Sequence, residues 1–134
     1  MSTGSLTSGS LVSRLEVLAL VAIGGFAGAN LRYLAGYVLP GLGGTLLANV
    51  LGAFVLGFVL YESIYGGALA AETRFVVATG FLSSFTTYST FALQSAQSAP
   101  AVLVVNVVAN YALGFAAVLV GRAAARRFTG EAEA

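Results

Sequence analysis

The residues best able to do chemistry lie in one short string in the second half of the chain. Residues 83–91 read Ser-Ser-Phe-Thr-Thr-Tyr-Ser-Thr-Phe, and seven of the first eight carry a hydroxyl group. One or two such residues in a membrane helix can bond the carbonyl oxygen one turn back. Seven of them would point in every direction around a continuous helix, including into lipid. We therefore predict a broken helix, whose freed carbonyl and hydroxyl groups can bind ions where they are buried or line a wet cavity.

Three further polar groups interrupt apolar segments. Asn49 shares a helix face with Thr45, and taken alone it is slightly better explained by an interhelical hydrogen bond that stabilises packing. Asn106 and Asn110 are also four residues apart, and their stripe could line a water-filled path or bind a partner helix. Arg32 lies near a predicted helix end, where it could snorkel to the interface or attract anions.

The composition indicates that lipid is the solvent around this chain. Of 134 residues, 58% are hydrophobic and 8% are charged, whereas soluble domains carry about 25% charged residues. Residues 33–61 and 75–121 are free of charge, and a membrane helix needs about 20 apolar residues, so the second run must turn once. The absence of Lys, Asp, His, Cys and Trp removes most nucleophiles, bases and metal ligands. We expect neither an enzyme nor a nucleic-acid-binding protein.

The pattern predicts an all-α membrane protein with four transmembrane helices, the third broken at mid-membrane. Pro40-Gly41 and Gly66-Gly67 end the first two helices, and Pro100 opens the fourth. The predicted helices span residues 15–39, 44–65, 72–97 and 100 to 122–127. We expect a single transmembrane domain over residues 14–128, between a disordered N-terminal tail (1–13) and a polar C-terminal tail (129–134).

The arginines predict the orientation of these helices. Five of the six would lie on the side that holds both termini: Arg14, Arg74, Arg122, Arg126 and Arg127. Arg32 alone would lie on the other side. By the positive-inside rule, we predict a multi-pass protein of the cell membrane with cytoplasmic N and C termini. Four short helices enclose little space, so we also expect an oligomer, and a stripe of Gly24, Gly28 and Gly36 would allow close helix packing.

The polar groups expected inside the membrane are hydrogen-bond donors without negative charge. Glu16, Glu62 and Glu72 all lie near predicted helix ends, whereas a proton-coupled cation exporter would need a carboxylate at mid-membrane depth. Hydroxyl groups, amide groups and the electropositive edges of aromatic rings suit a small, strongly hydrated anion. The residues alone therefore predict a passive anion pathway, without naming the anion.

The string that begins at Gly80-Phe81 resembles the motif of the Fluc (CrcB) family of fluoride channels, approximately Gly-Phe-x-Gly-Gly-x-Thr-Thr-Phe-Ser-Thr-Phe. Residues 24–33 look like the family's first helix, and Gly44-Thr45-Leu46 with Asn49 and Gly52 look like its second. The resemblance covers residues 20 to 125. It implies a fluoride-specific channel subunit that passively exports fluoride from the cytoplasm and so lowers its toxicity.

The resemblance also implies an architecture and a set of site residues. Family members are antiparallel dimers with two pores, and carbonyl oxygens from both subunits hold one structural, untransported Na+. Carried over, the sodium ligands are the backbone carbonyl groups of Ser83 and Thr86. The fluoride pathway comprises Asn49, Tyr88, Ser89, Thr90, Phe91, Asn110, Arg32 and, less securely, Asn106.

Two departures from the family motif leave alternatives open. Ser83-Ser84 replaces a Gly-Gly pair that tolerates unusual backbone angles, and Tyr88 replaces a pore phenylalanine. The arginine bias fits poorly with identical subunits inserted in both directions. We therefore expect either a homodimer or, by hypothesis, a heterodimer with a paralogous subunit of opposite bias. A small multidrug or guanidinium-type exporter subunit and a non-conducting accessory subunit are the alternative functions.

Overall fold

The structure is a computed structural model that describes the backbone of residues 3–129 and the side chains from residue 11. Two long helices are followed by a segment of short helical pieces and then by a third long helix. The α-helices are α1 (Thr3–Val38), α2 (Leu42–Tyr61), α3 (Ala71–Arg74), α4 (Ser83–Phe85), α5 (Tyr88–Ala96) and α6 (Pro100–Thr129), and Glu62–Gly66 and Phe75–Leu82 are π-helical. We call the segment from α3 to α5 the broken helix.

Three helices in the described chain are long and apolar enough to cross a membrane. They cover Leu11–Val38, Leu42–Gly66 and Pro100–Thr129. Large apolar side chains cover their outer surfaces, and Phe26, Tyr33 and Phe115 are 75%, 77% and 69% exposed. Such surfaces suit lipid or a partner helix rather than water. The chain is an all-α membrane protein, as its composition predicted.

The N-terminal helix is longer than the sequence predicted. α1 begins at Thr3, whereas the sequence predicted a disordered tail over residues 1–13, and residues 1 and 2 lie outside the described part. Once a helix exists, each added residue gains one backbone hydrogen bond without a new nucleation penalty. No proline interrupts residues 3–13, so α1 extends through them. At the other end α6 includes Thr129, and residues 130–134 of the predicted polar tail lie outside the described residues.

Glycines end the first two helices where the sequence predicted. After Val38 the chain turns through Pro40 and through Gly41, whose φ of 75° is left-handed. Gly67 has a φ of 71° and donates its N–H to the carbonyl oxygen of Glu62 at 2.9 Å. Residues other than glycine rarely adopt these angles, so glycine fits both turns.

Close glycine contacts join α1 to the first part of the broken helix. A Cβ atom on Gly24 or Gly28 would overlap the carbonyl oxygen of Val76 or Phe81, respectively. Gly80 faces back towards the backbone of Val21. The predicted stripe is therefore a packing surface at Gly24 and Gly28, whereas Gly36 has no neighbouring atom within 4 Å of a Cβ position.

The other close pair consists of α2 and α6. A Cβ atom on Gly57 would overlap the carbonyl oxygen of Val118, and one on Gly121 would overlap that of Phe54. Small residues allow this approach of two helix backbones in lipid, where van der Waals packing drives association. The broken helix, a member of the first pair, also contacts α2, so it joins the two pairs.

The buried side chain of Glu62 connects the loop after α2 to the start of the broken helix. The side chain of Glu62 is fully buried, and its Oε1 atom accepts a hydrogen bond of 2.9 Å from the Leu69 N–H. Its Oε2 atom lies 3.8 Å from Nε of Arg74. The guanidinium of Arg122 lies 5.9 Å from the ring centre of Tyr61. Arg74 and Arg122, two of the five arginines assigned to one side, therefore lie at the same end of the molecule.

Candidate functional site

The broken helix is interrupted at two residues inside the hydroxyl-rich string. After α4, Thr86 and Thr87 are extended, with φ and ψ of −80° and 157° and of −149° and 121°. α5 then restarts at Tyr88, and the Thr87 hydroxyl caps it by accepting the Thr90 N–H at 3.1 Å. The predicted break is therefore present.

Asn49 of α2 forms two hydrogen bonds with the backbone of the break. Its Oδ1 accepts the Thr87 N–H at 2.8 Å, and its Nδ2 donates to the Thr87 carbonyl oxygen at 3.0 Å. This is the pair of bonds that a neighbouring strand would offer to an extended residue. Thr87 is 7% exposed, so without Asn49 two buried backbone groups would lose partners, which is costly.

Three asparagines and a serine continue the hydrogen bonding away from the break. Asn49 Nδ2 lies 3.5 Å from Oδ1 of Asn110. Asn110 donates to the Asn106 carbonyl oxygen at 2.8 Å and to Asn106 Oδ1 at 3.0 Å. Asn106 donates to Oγ of Ser95 at 2.9 Å. We call Asn49, Asn110, Asn106 and Ser95 the amide chain, and it links α2, α6 and α5.

Backbone contacts fix the direction of the amide chain. The Thr87 N–H can only donate, so it must meet the oxygen of the Asn49 amide. The Asn106 carbonyl can only accept, so it must meet the nitrogen of Asn110. Asn106 consequently presents its oxygen to Asn110 and its nitrogen to Ser95. All three amides donate in the same direction, from the break towards Ser95.

A groove of about 650 Å³ opens beside the break. Its walls come from α2, the broken helix and α6. Six predicted site residues line it: Asn49, Ser83, Thr86, Tyr88, Phe91 and Asn110. The remaining lining is mainly small or apolar, including Gly52, Ala53, Leu56, Ala78, Leu82 and Gly114. A few polar groups converge there in an apolar surround, as is usual for a small-ligand site.

Aromatic rings continue along one wall of the groove. The ring centres of Tyr88 and Phe91 are 5.8 Å apart. Phe91 and Tyr111 are 6.2 Å apart with their planes at 81°, and Tyr111 lies 6.3 Å from Phe115. An edge-to-face arrangement directs the positive ring edges sideways. Tyr88 is 73% exposed, Phe91 only 7%, and Tyr111 and Phe115 are 51% and 69% exposed, so the row of rings has a buried ring at Phe91 between exposed rings on either side.

The remaining predicted residues lie around or away from the groove. Ser89 is exposed, with its Oγ 3.4 Å from the Thr87 hydroxyl, and Thr90 is half-buried in the same turn. Asn106 is buried behind Asn110. Arg32 does not line the groove, and instead lies in a separate surface depression with Ala29, Tyr33, Gly36 and Tyr37.

Two hydroxyl groups of the string are satisfied locally. Ser83 Oγ donates to the carbonyl oxygens of Thr79 and Gly80, and Thr86 Oγ1 donates to Leu82 O at 2.8 Å. For these side chains the simple explanation, bonding one turn back, is sufficient. Their own carbonyl oxygens are the atoms predicted to bind sodium. They lie at the end of α4, where the helix stops, and unwound carbonyl groups of this kind can hold Na+ in membrane proteins.

Sequence reasoning missed three residues of this region. It gave no separate role to Thr87, although Thr87 anchors both Asn49 and α5. Ser95 lies eleven residues before Asn106, and no helical spacing connects them. Tyr111 follows Asn110 directly, and its aromatic type in a polar stripe was the available signal.

Comparison with known proteins decides the family. A family described as CrcB-like protein, Camphor Resistance (CrcB), matches residues 19–122. This chain belongs to the CrcB-like family. The fluoride-specific ion channel FluC 1 of Haloarcula marismortui is 57% identical to this CrcB-like chain over 116 residues, covering 87% of the chain and 91% of the relative.

Two further relatives are similar over almost as much of the chain. FluC 1 of Natronomonas pharaonis is 56% identical over 109 residues, covering 80% of this chain and 92% of its own length. FluC 2 of Halobacterium salinarum is 49% identical over 114 residues, covering 84% and 89%. Both carry the name fluoride-specific ion channel.

Proposed function

We propose that this chain is a subunit of a fluoride-specific channel that lets fluoride leave the cytoplasm. The observation that carries the proposal is the convergence of Asn49, Tyr88, Phe91 and Asn110 on one groove beside the break. The family match and the relatives named fluoride-specific ion channels support the same function. An inside-negative membrane potential favours anion exit by about 2.3 kcal/mol per 100 mV, so no energy source is needed.

In this proposal, neutral donors replace the water around fluoride as it passes. The Ser89 hydroxyl, the Thr90 hydroxyl and the ring edges of Tyr88 and Phe91 lie along one turn of α5. Asn110 lies on the facing helix, and the amide chain with Asn106 extends the polar surface inward. Short-range donors in a narrow path favour a small, strongly accepting anion over a larger one. Arg32, outside the groove, would attract anions at a mouth of the path.

We further propose that two such subunits pair in an antiparallel dimer, with the broken helix as a fourth membrane crossing. The groove is open on one side, and large apolar side chains remain exposed around it. A partner helix that covered this side would narrow the groove into a path. One Na+, structural and not transported, would be held by the carbonyl oxygens of Ser83 and Thr86 together with those of the partner.

The arginine distribution supports a preferred orientation for this subunit. Arg74 and Arg122 lie at the end where α2 and α6 finish, and we propose that this end faces the cytoplasm. The partner would then be a paralogous subunit of opposite bias, with an identical subunit as the alternative. A tag on either terminus that reports equal insertion in both directions would remove the basis for a paralogous partner.

Fluoride release from liposomes tests the function. The purified chain is reconstituted with fluoride inside, and release is followed with a fluoride electrode. Rapid release with chloride retained is the expected result for a self-sufficient channel. Release only after a paralogous subunit is added would support the paired form. No release in either case would contradict the proposal.

A further inference from the structure

The two carbonyl groups proposed to bind sodium have both lost their helical hydrogen-bond donors to side chains. In a continuous helix, the N–H of residue i+4 bonds the carbonyl oxygen of residue i. The partner of the Ser83 carbonyl would be the Thr87 N–H, which instead donates to Asn49 Oδ1 at 2.8 Å. The partner of the Thr86 carbonyl would be the Thr90 N–H, which instead donates to Thr87 Oγ1 at 3.1 Å.

We propose that Asn49 and the Thr87 hydroxyl are positioning residues that keep the Ser83 and Thr86 carbonyl groups free to bind a small monovalent cation. The proposal rests on the sodium site proposed above and names the side chains that create it. Neither side chain ligates the cation. Each side chain accepts a hydrogen bond from a backbone N–H group that, in a continuous helix, would donate to one of the two ligand carbonyl oxygens.

The geometry of Asn49 is that of a positioning residue. Its oxygen is occupied by the Thr87 N–H, and its nitrogen faces two acceptors, Thr87 O at 3.0 Å and Asn110 Oδ1 at 3.5 Å. An amide nitrogen has two hydrogens, and it donates one to Thr87 O, while Asn110 Oδ1 lies at the outer limit of a hydrogen bond. Asn49 therefore shapes the site through its two hydrogen bonds to Thr87.

Thr87 frees the second carbonyl group, that of Thr86, in the same way. Its peptide is held by Asn49, while its hydroxyl receives the N–H of Thr90 in the first turn of α5. Thr86 and the buried Thr87 thus separate the two helical ends. Ser83 stands where the family motif has glycine, and the site needs only its carbonyl oxygen. The Ser83 hydroxyl is turned back to Thr79 and Gly80.

Sodium-dependent thermal stability of the full chain, purified in detergent, tests the proposal without measuring conduction. A cation that binds only the folded protein stabilises it by RT ln(1 + c/Kd), where c is the free sodium concentration, so its Tm rises with the sodium concentration relative to Kd. Sodium chloride is titrated against the chloride of a large organic cation at constant ionic strength, and the sodium concentration that raises the Tm of each variant by the same chosen amount above its sodium-free value is recorded. The variants are Asn49→Ala and Thr87→Val, the latter of nearly the same shape without the hydroxyl. Thr87→Ser keeps the acceptor, and Asn30→Ala is the matched amide control.

Asn30 is a suitable control because it is exposed and, within the described residues, its amide donates to Phe26 O on its own helix, at 2.7 Å. We expect Asn49→Ala and Thr87→Val to need about fivefold to tenfold more sodium, which corresponds to the loss of one net hydrogen bond. Thr87→Ser and Asn30→Ala should match the unmodified chain. If Asn49→Ala fails to fold, the comparison of Thr87→Val with Thr87→Ser carries the test alone.

The outcomes separate this inference from the function itself. A sodium response that is identical in the unmodified chain, Asn49→Ala and Thr87→Val would overturn the positioning roles and leave the sodium site standing. No response in the unmodified chain would overturn the sodium site and the positioning roles together. Neither result bears on fluoride release from liposomes, which tests the channel separately.

Discussion

Asn106 on α6 donates a hydrogen bond of 2.9 Å to the hydroxyl oxygen of Ser95 on α5, and each residue is 7% exposed. The bond joins the second part of the broken helix to the helix beside it. Together with the contact between the Phe91 and Tyr111 rings, this polar pair holds α5 against α6. This bond is also the last one in the amide chain, on the side away from the break.

Replacing Asn106 with Leu should therefore loosen α5. The change leaves the Ser95 hydroxyl and the Asn110 amide without one partner each. Interhelical hydrogen bonds in membranes contribute about 0.6 kcal/mol on average and up to about 1.7 kcal/mol, so we expect a loss of about 1 kcal/mol in unfolding free energy. Unfolding in a denaturing detergent measures it. An equal loss in Asn30→Leu, whose exposed amide donates to the Phe26 carbonyl oxygen of its own helix, would contradict this role.

Replacing Gly121 with Ala should separate α2 from α6. The new Cβ atom would overlap the carbonyl oxygen of Phe54, which is backbone and cannot turn aside. Overpacking of this kind destabilises by about 1–3 kcal/mol. Gly36→Ala is the control, because nothing lies within 4 Å of its Cβ position. Thermal unfolding of the two variants should differ in Tm, and equal values would argue against tight packing at Gly121.

Replacing Glu62 with Ala should destabilise the end of the molecule that carries Arg74. The variant removes the acceptor of the Leu69 N–H and leaves the Arg74 charge without its partner. Hydrogen bonds to charged groups contribute about 1.5–3 kcal/mol, and Arg74 is 32% exposed, so we expect a loss near the lower figure. Glu62→Gln keeps the acceptor oxygen and should lose less. Glu72→Ala, at an exposed position, should be close to neutral in the same unfolding assay.

Replacing Phe91 with Leu should slow fluoride release. Leucine keeps most of the buried volume but has no ring edge towards the groove or towards Tyr111. Aromatic edge contacts are worth about 0.5–1.5 kcal/mol, which corresponds to a decrease of up to about tenfold in rate. Liposome release is the measurement, and Leu93→Ala is the control because Leu93 is 58% exposed. If Phe91→Leu releases fluoride at an unchanged rate, the ring edge of Phe91 has no role in the proposed path.

The sequence predicted the break because its signal is local. Seven hydroxyl-bearing residues in eight positions are incompatible with a lipid-exposed continuous helix, and the chain does open at Thr86 and Thr87. Other residues of the same string behave as in an ordinary helix, since the hydroxyl groups of Ser83 and Thr86 donate to carbonyl oxygens one turn back. Local composition therefore located the break but did not show which side chains create it.

Long-range pairings could not be read from the sequence. Asn49 and Thr87 are 38 residues apart, and Asn49 and Asn110 are 61 apart. Helical periodicity relates residues three or four positions apart and says nothing about which helices meet. The start of α1 at Thr3 was also missed, because the Ser, Gly and Thr residues there have low helix propensity and only the adjoining helix makes their conformation favourable.

The common direction of the amide chain has a consequence for protons. Water molecules and hydroxyl groups can accept a proton on one side and release another, so a file of them conducts protons. A neutral carboxamide donates through nitrogen and accepts through oxygen, and it would have to change tautomer to pass a proton on. Asn49, Asn110 and Asn106 are also held in one orientation by the backbone groups of Thr87 and Asn106. The three amides of the amide chain are therefore a polar surface whose own hydrogen bonds offer no route for proton hopping.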